Sequence, residues 1–145
     1  MTVERVCARE VDLAKADETV QVAGRRMKDR NVGTLLIQDA ESRPIGIITD
    51  RDLAVRVVGE GLDPTLTTVG QVMTELPESV HEETPIELVL AQMRSGPYRR
   101  LPVVDANGKL VGLVSLDDIL DLLAEEFNEI GQLLKSESPS NLAGA

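Results

Sequence analysis

Apolar spacing along residues 84–134 changes period twice. Ile86, Val89, Leu90 and Met93 fall at the i, i+3, i+4, i+7 positions of one helical face. Ahead of them, Thr84-Pro85-Ile86-Glu87 offers a capping hydroxyl, a proline at the first helical position and a carboxylate three residues after the cap. Ser95-Gly96-Pro97 predicts the stop. Two short aliphatic runs follow, Leu101 to Val104 and Lys109 to Val114, and the Asn107-Gly108 pair between them favours a tight hairpin. A second helix is then predicted, opened by Ser115, with Leu116, Ile119, Leu123, Phe127, Ile130 and Leu134 spaced by three and four as a seam. Gly131 is the position where that helix would be expected to break, and the run after Lys135 reads as an unstructured tail.

The same pattern stands earlier in the chain. A shift of 66 residues lays Val6 to Val58 over Val72 to Ala124 without a gap, so one unit is written twice. Gly46-Ile47-Ile48-Thr49-Asp50-Arg51-Asp52 falls on Gly112-Leu113-Val114-Ser115-Leu116-Asp117-Asp118, and each copy reads as strand end, capping hydroxyl and helix with a carboxylate three residues on. The first helical stripe is Val20, Ala23, Gly24 and Met27, and its small residues suggest close packing. The first hairpin has a poorer turn, Asp39-Ala40-Glu41-Ser42. The expected fold is α+β: two β-α-β-β-α units packed face to face about a pseudo-twofold axis, since a unit of about 60 residues buries too little surface alone. The expected boundaries are 1–58 for the first repeat, 59–71 for an exposed linker, 72–126 for the second repeat, and 127–145 for a helical extension and tail.

Composition narrows the function. The formal charge is −10, with one Phe, one Tyr and no Trp, so both the basic surface and the stacking aromatics of nucleic-acid binders are missing. No apolar run approaches a membrane span or a signal peptide, which together with a single cysteine points to a cytoplasmic chain. Cys7 is expected to behave as a small buried hydrophobe, and His81, the only histidine, as a surface residue at a strand end. No metal site is expected.

The two-copy architecture, Val72-Met73-Thr74, Arg100-Leu101-Pro102-Val103-Val104-Asp105 and the two Gly-h-h-(Ser/Thr)-x-x-Asp motifs together resemble a tandem pair of cystathionine-β-synthase (CBS) domains, a Bateman module of the stand-alone type. The resemblance extends to about Leu123. It implies an adenosine-containing ligand in the clefts between copies, with the motif hydroxyl near ribose or phosphate and the motif aspartate on the ribose hydroxyls. By that resemblance the binding residues are Thr49 and Asp52 in one copy and Ser115 and Asp118 in the other. Main chain near Leu35 and Leu101 would meet the adenine edge. The chemistry suits these residue types: a carboxylate can accept two hydrogen bonds from a diol, and the guanidinium groups of Arg99 and Arg100 can grip a phosphate, with Arg51 a lesser candidate. The first copy departs from the second in carrying Cys7-Ala8 opposite Met73-Thr74 and Val32-Gly33-Thr34 opposite Tyr98-Arg99-Arg100.

The expectation is a regulatory module without catalytic chemistry that binds AMP, ADP or ATP, with NAD or S-adenosylmethionine as further candidates. It would form a homodimer and bias a regulated protein that the sequence does not identify. Two other readings compete. Thr49 with Asp52 and Ser115 with Asp118 could be capping boxes alone, leaving a structural interaction module with vestigial clefts. Asp50, Asp52, Asp117 and Asp118 could suggest a Mg²⁺-dependent phosphohydrolase, although adjacent carboxylates at a helix start point in different directions.

Overall fold

Thr19 opens the first helix of the computed structural model, which describes residues 1–75, 78–96 and 98–137: its hydroxyl accepts the Val22 N–H at 3.3 Å, and α1 runs Val20–Arg30. Before it lie a 3₁₀ turn, Val3–Arg5, and β1, Leu13–Ala14. After it come β2, Thr34–Gln38, β3, Pro44–Thr49, the one-turn α2, Asp50–Asp52, and a π-helical stretch, Leu53–Val58. The second half contributes α3, Val69–Val72, β4, Thr74–Glu75, β5, Val80–His81, α4, Ile86–Ser95, β6, Arg100–Val104, β7, Leu110–Ser115, and α5, Leu116–Ser136. The α+β reading of two mixed sheets with helices holds.

Three local expectations need correction. Pro85, not Thr84, is the cap of α4, so the helix starts one residue later with no side-chain cap. Pro85 stands 66 residues after Thr19, so the two copies solve the same helix start differently. Gly131 does not interrupt α5, because a helix can carry one glycine at a cost of about 1 kcal/mol. The span 59–71 is exposed except at Thr67, Thr68 and Val69, of which Thr67 and Val69 are buried. The expected tail after Lys135 lies largely outside the described residues, and α5 itself reaches Ser136.

The hairpins form in matching register. Leu35 pairs with Ile48 as Leu101 pairs with Val114, and each ladder slips before its last pair. β1 joins β2 in parallel, and β5 joins β6 in the same way. Each hairpin then packs its own stripe: Val20, Ala23 and Met27 with Leu35, Ile37 and Ile48 in one core, Ile86, Val89 and Met93 with Leu101, Val103 and Val114 in the other. A smaller cluster of Leu36, Ile47, Leu110, Leu113 and Val11 joins the two units.

The opening segment of each repeat crosses to the other unit. Val3 is fully buried in the second core, beside Val6 and Cys7, whereas Val69 and Val72 are buried in the first. Val3 N–H donates to Thr84 O at 2.9 Å and Val69 N–H to Glu18 O at 2.8 Å; Glu4 N–H donates to Glu82 O at 3.0 Å and Gly70 N–H to Ala16 O at 2.9 Å. Adding 66 to each donor of the first unit and subtracting 66 from its acceptor yields the second bond of the pair. That reciprocity is the mark of a twofold relation, here within one chain. It also explains the motif glycines. A Cβ on Gly46 would lie 2.5 Å from Met73 Sδ, and one on Gly112 would lie 2.7 Å from Ala8 O. Both glycines make room for the crossing strand of the other repeat.

Candidate functional site

The crossing brings residues of both repeats to one cleft. Ile47, Thr49 and Asp52 of the first unit, Thr74 of β4, and Tyr98, Arg99 and Arg100 of the second line an open cavity of about 200 Å³. Thr49 ends β3 in an extended conformation, so its hydroxyl turns back to accept the Asp52 N–H at 3.2 Å. Asp52 Oδ2 accepts the Thr49 N–H at 2.9 Å, which completes a capping box. Its other oxygen lies 3.8 Å from Arg56 Nε, while Arg56 Nη1 donates to Val72 O at 2.8 Å. Asp52 is therefore braced on two sides, yet a carboxylate has room for further donors.

Arg100 opens β6, opposite Ser115 in the β6–β7 ladder, and Arg99 precedes it. Arg99 Nη2 stands 3.4 Å from Asp117 Oδ1, with both side chains about 70% exposed, so the pair is weakly held. The Arg100 guanidinium makes no hydrogen bond or ion pair with any described residue. Two cations thus face one capped carboxylate, and the cleft favours an anion next to a group able to accept hydroxyl donors.

The pseudo-equivalent cleft differs. Ala8, Val32, Gly33, Thr34 and Leu113 stand where the first has Thr74, Tyr98, Arg99, Arg100 and Ile47, and Glu10, Val11, Asp12 and Leu36 extend the wall of a cavity of about 270 Å³. Ser115 Oγ accepts the Asp118 N–H at 3.1 Å, but the Asp118 carboxylate makes no hydrogen bond or ion pair with a described residue. Neither Ser115 nor Asp118 lines this cavity.

Of the expected residues, Thr49, Asp52, Arg99 and Arg100 line one cleft; Ser115, the ladder partner of Arg100, and Asp118 do not line it. The side chains of Leu35 and Leu101 are fully buried in separate cores and line neither cavity. Arg51 is exposed and also lines neither. Sequence reasoning did not single out Ile47, Thr74 or Tyr98 as wall residues. The signal for them was the 66-residue offset, once each opening segment is known to cross over. Arg56, at i+4 from Asp52, was legible as a helical ion-pair spacing.

A cavity of about 370 Å³ lies on the first unit around Arg26, Lys15 and Asp39, away from both motifs. There Arg26 donates to both oxygens of Glu18 and holds that carboxyl below its ordinary range. Cys7 is half-buried beside the second core, and burial pushes its thiol up, as suits a packing residue. His81 is exposed at the end of β5. Among the described residues no three His, Cys, Asp or Glu side chains converge as metal ligands would. None of the described helices is long and apolar enough to cross a membrane.

Comparison with known proteins agrees with this architecture. The CBS domain family model matches residues 3–59 and again 69–125. An uncharacterized protein of Methanopyrus kandleri is 34% identical over 122 residues, which cover 84% of this chain and 62% of that protein. An uncharacterized 17.7 kDa protein of Acidianus ambivalens is 31% identical over 137 residues, covering 92% of this chain and 82% of the relative. The match spans only 19% of the CBS domain-containing protein CBSCBSPB2 of Arabidopsis thaliana. Among solved structures, the CBS domain pair of protein MJ0100, in complex with 5′-methylthioadenosine and S-adenosylmethionine, superimposes with a TM-score of 0.73 at 25% identity, covering 87% of this chain and 98% of that one.

Proposed function

Since the chain belongs to the CBS domain family, we propose that it is a regulatory module that binds an adenosyl compound between its two repeats and passes the occupancy to another protein. The observation that carries this reading is the meeting of Thr49 and Asp52 with Arg99 and Arg100 at one cleft. Each repeat alone holds half of that set. A ligand spanning it changes the relation between repeats, and it shifts a partner's equilibrium only as far as it favours one arrangement. The ligand seated by these residues is AMP, ADP or ATP, with ribose hydroxyls donating to Asp52 and phosphate on the arginines. Support also comes from the adenosyl compounds bound to the MJ0100 pair. The capping box does not compete with this role, because the hydrogen bond from Thr49 N–H occupies one oxygen of Asp52.

Calorimetric titration with AMP, ADP, ATP, NAD and S-adenosylmethionine tests the proposal. A charge-assisted hydrogen bond contributes about 1.5–3 kcal/mol, so Arg100→Ala should weaken AMP binding by roughly 10- to 100-fold. Unchanged AMP affinity in Arg99→Ala and Arg100→Ala would remove the phosphate assignment, and no heat with any of the five would leave the structural-module reading.

The partner surface of the same reading is α5. Phe127, Ile130 and Leu134 are 72%, 54% and 65% exposed, and with Leu116, Leu120 and Leu123 they repeat at alternating spacings of four and three. That is a two-strand coiled-coil seam, and a second copy of the chain supplies its match. Light scattering on a chain cut after Glu126 should give the monomer mass; a retained dimer places the interface elsewhere.

A further inference from the structure

The two clefts differ most in charge. At the three positions where the first has Tyr98, Arg99 and Arg100, the second has Val32, Gly33 and Thr34, so both guanidinium groups are gone. Two carboxylates take their place on the wall. Asp12 accepts a hydrogen bond from Arg30 Nε at 2.8 Å, and Glu10, which makes no hydrogen bond or ion pair of its own with a described residue, feels the same guanidinium only at longer range, so two carboxylates share one cation. Val11, Val32, Leu36 and Leu113 line it and can cover one face of a base. The chain's net charge of −10 adds to the local sign.

We infer that the clefts sort adenosyl compounds by charge: the Arg99/Arg100 cleft takes a phosphorylated nucleotide, and the Glu10 cleft an uncharged or cationic nucleoside. This rests on the proposed reading of the clefts as adenosyl sites. A phosphate dianion placed within about 8 Å of Glu10, with the one nearby cation, Arg30, already held by Asp12, is repelled enough to lose affinity by a few-fold at the dielectric of water. A sulfonium or an uncharged thioether at the same place meets no such cost. Glu10 is thus the specificity-determining residue of the second cleft, and the two sites can fill at once with different ligands.

The experiment is calorimetric titration of the full chain, first with AMP and then, on the AMP-saturated protein, with 5′-methylthioadenosine or S-adenosylmethionine. One AMP per chain is expected, lost in Arg99→Ala/Arg100→Ala. One further mole of the thioether or the sulfonium should then bind without displacing AMP, and should still bind to the double arginine variant. Glu10→Lys, at an exposed position, should raise AMP stoichiometry from one to two per chain. Displacement of AMP at a total stoichiometry of one overturns the inference but leaves the adenosyl reading intact. So does AMP filling two sites of equal affinity in the unaltered protein. Absence of binding by all three compounds overturns both.

Discussion

In the first unit the motif carboxylate of Asp52 accepts the Thr49 N–H and faces Arg56 at 3.8 Å; in the second, Asp118 does neither. Both are three residues past a capping hydroxyl that accepts their own N–H, at 3.2 and 3.1 Å. What separates them is position i+4, where Arg56 falls opposite Leu122. Arg56 ties the π-helical stretch after α2 to the end of α3 through Val72 O, whereas Leu122 packs on the second core and helps seat a 21-residue helix. One repeat spends its carboxylate on its own helix, and the other leaves it without a partner among the described residues. A motif in perfect register therefore does not imply two equivalent sites.

The sharpest break in the pseudo-symmetry should come from the motif glycines. Gly112→Ala places a methyl 2.7 Å from a backbone oxygen, that of Ala8, which cannot move without shifting the crossing segment. Overpacking of this kind costs about 1–3 kcal/mol. Gly46→Ala meets the flexible end of Met73 instead and should cost under about 1 kcal/mol. Chemical denaturation of the two variants checks this, and equal midpoints would mean that the crossing strands are held alike.

The carboxylates come next in size. Asp52→Ala loses the return bond of a capping box and a charge at a helix start, about 1–2 kcal/mol together, against about 0.3–1 kcal/mol for Asp118→Ala, which loses only the latter. Thermal midpoints measured without ligand should keep that order. A larger loss at Asp118 would show that its carboxylate has a partner in solution.

The smallest difference lies in the hairpin turns. Gly108 has φ +78°, and Ser42, its counterpart in the first repeat, has φ +65°, a left-handed conformation that costs an L residue about 1–2 kcal/mol. Asp39 Oδ1 offsets this by accepting the Glu41 and Arg43 N–H groups, each at 2.9 Å. Ser42→Gly should stabilise by a few tenths to about 1 kcal/mol after the entropy cost of glycine, and Gly108→Ser should destabilise by about as much. A Ser42→Gly variant less stable than its parent would show that Ser42 contributes a contact of its own.

Much of the fold was legible because its signals are local. The helical stripes, both hairpins and the Thr49 and Ser115 caps follow from spacing and residue type within a few positions, and the 66-residue offset makes each copy a check on the other. The failures were local competitions: a proline took the cap that Thr84 seemed to offer, and a helix carried Gly131 through.

The amino-acid order by itself determined the repeat, the elements within each copy and the residue types of the motif, since these depend on neighbours no further apart than a helical turn or a hairpin. Only the tertiary structure decided that Val3 belongs to the second core and Val69 to the first, that Arg99 and Arg100 line one cleft with Thr49 and Asp52 of the other repeat, and that Glu10 walls the opposite cleft. Those outcomes rest on contacts between residues tens of positions apart. Their pairing depends on which apolar faces bury each other best in three dimensions, a choice that no periodicity along the chain records.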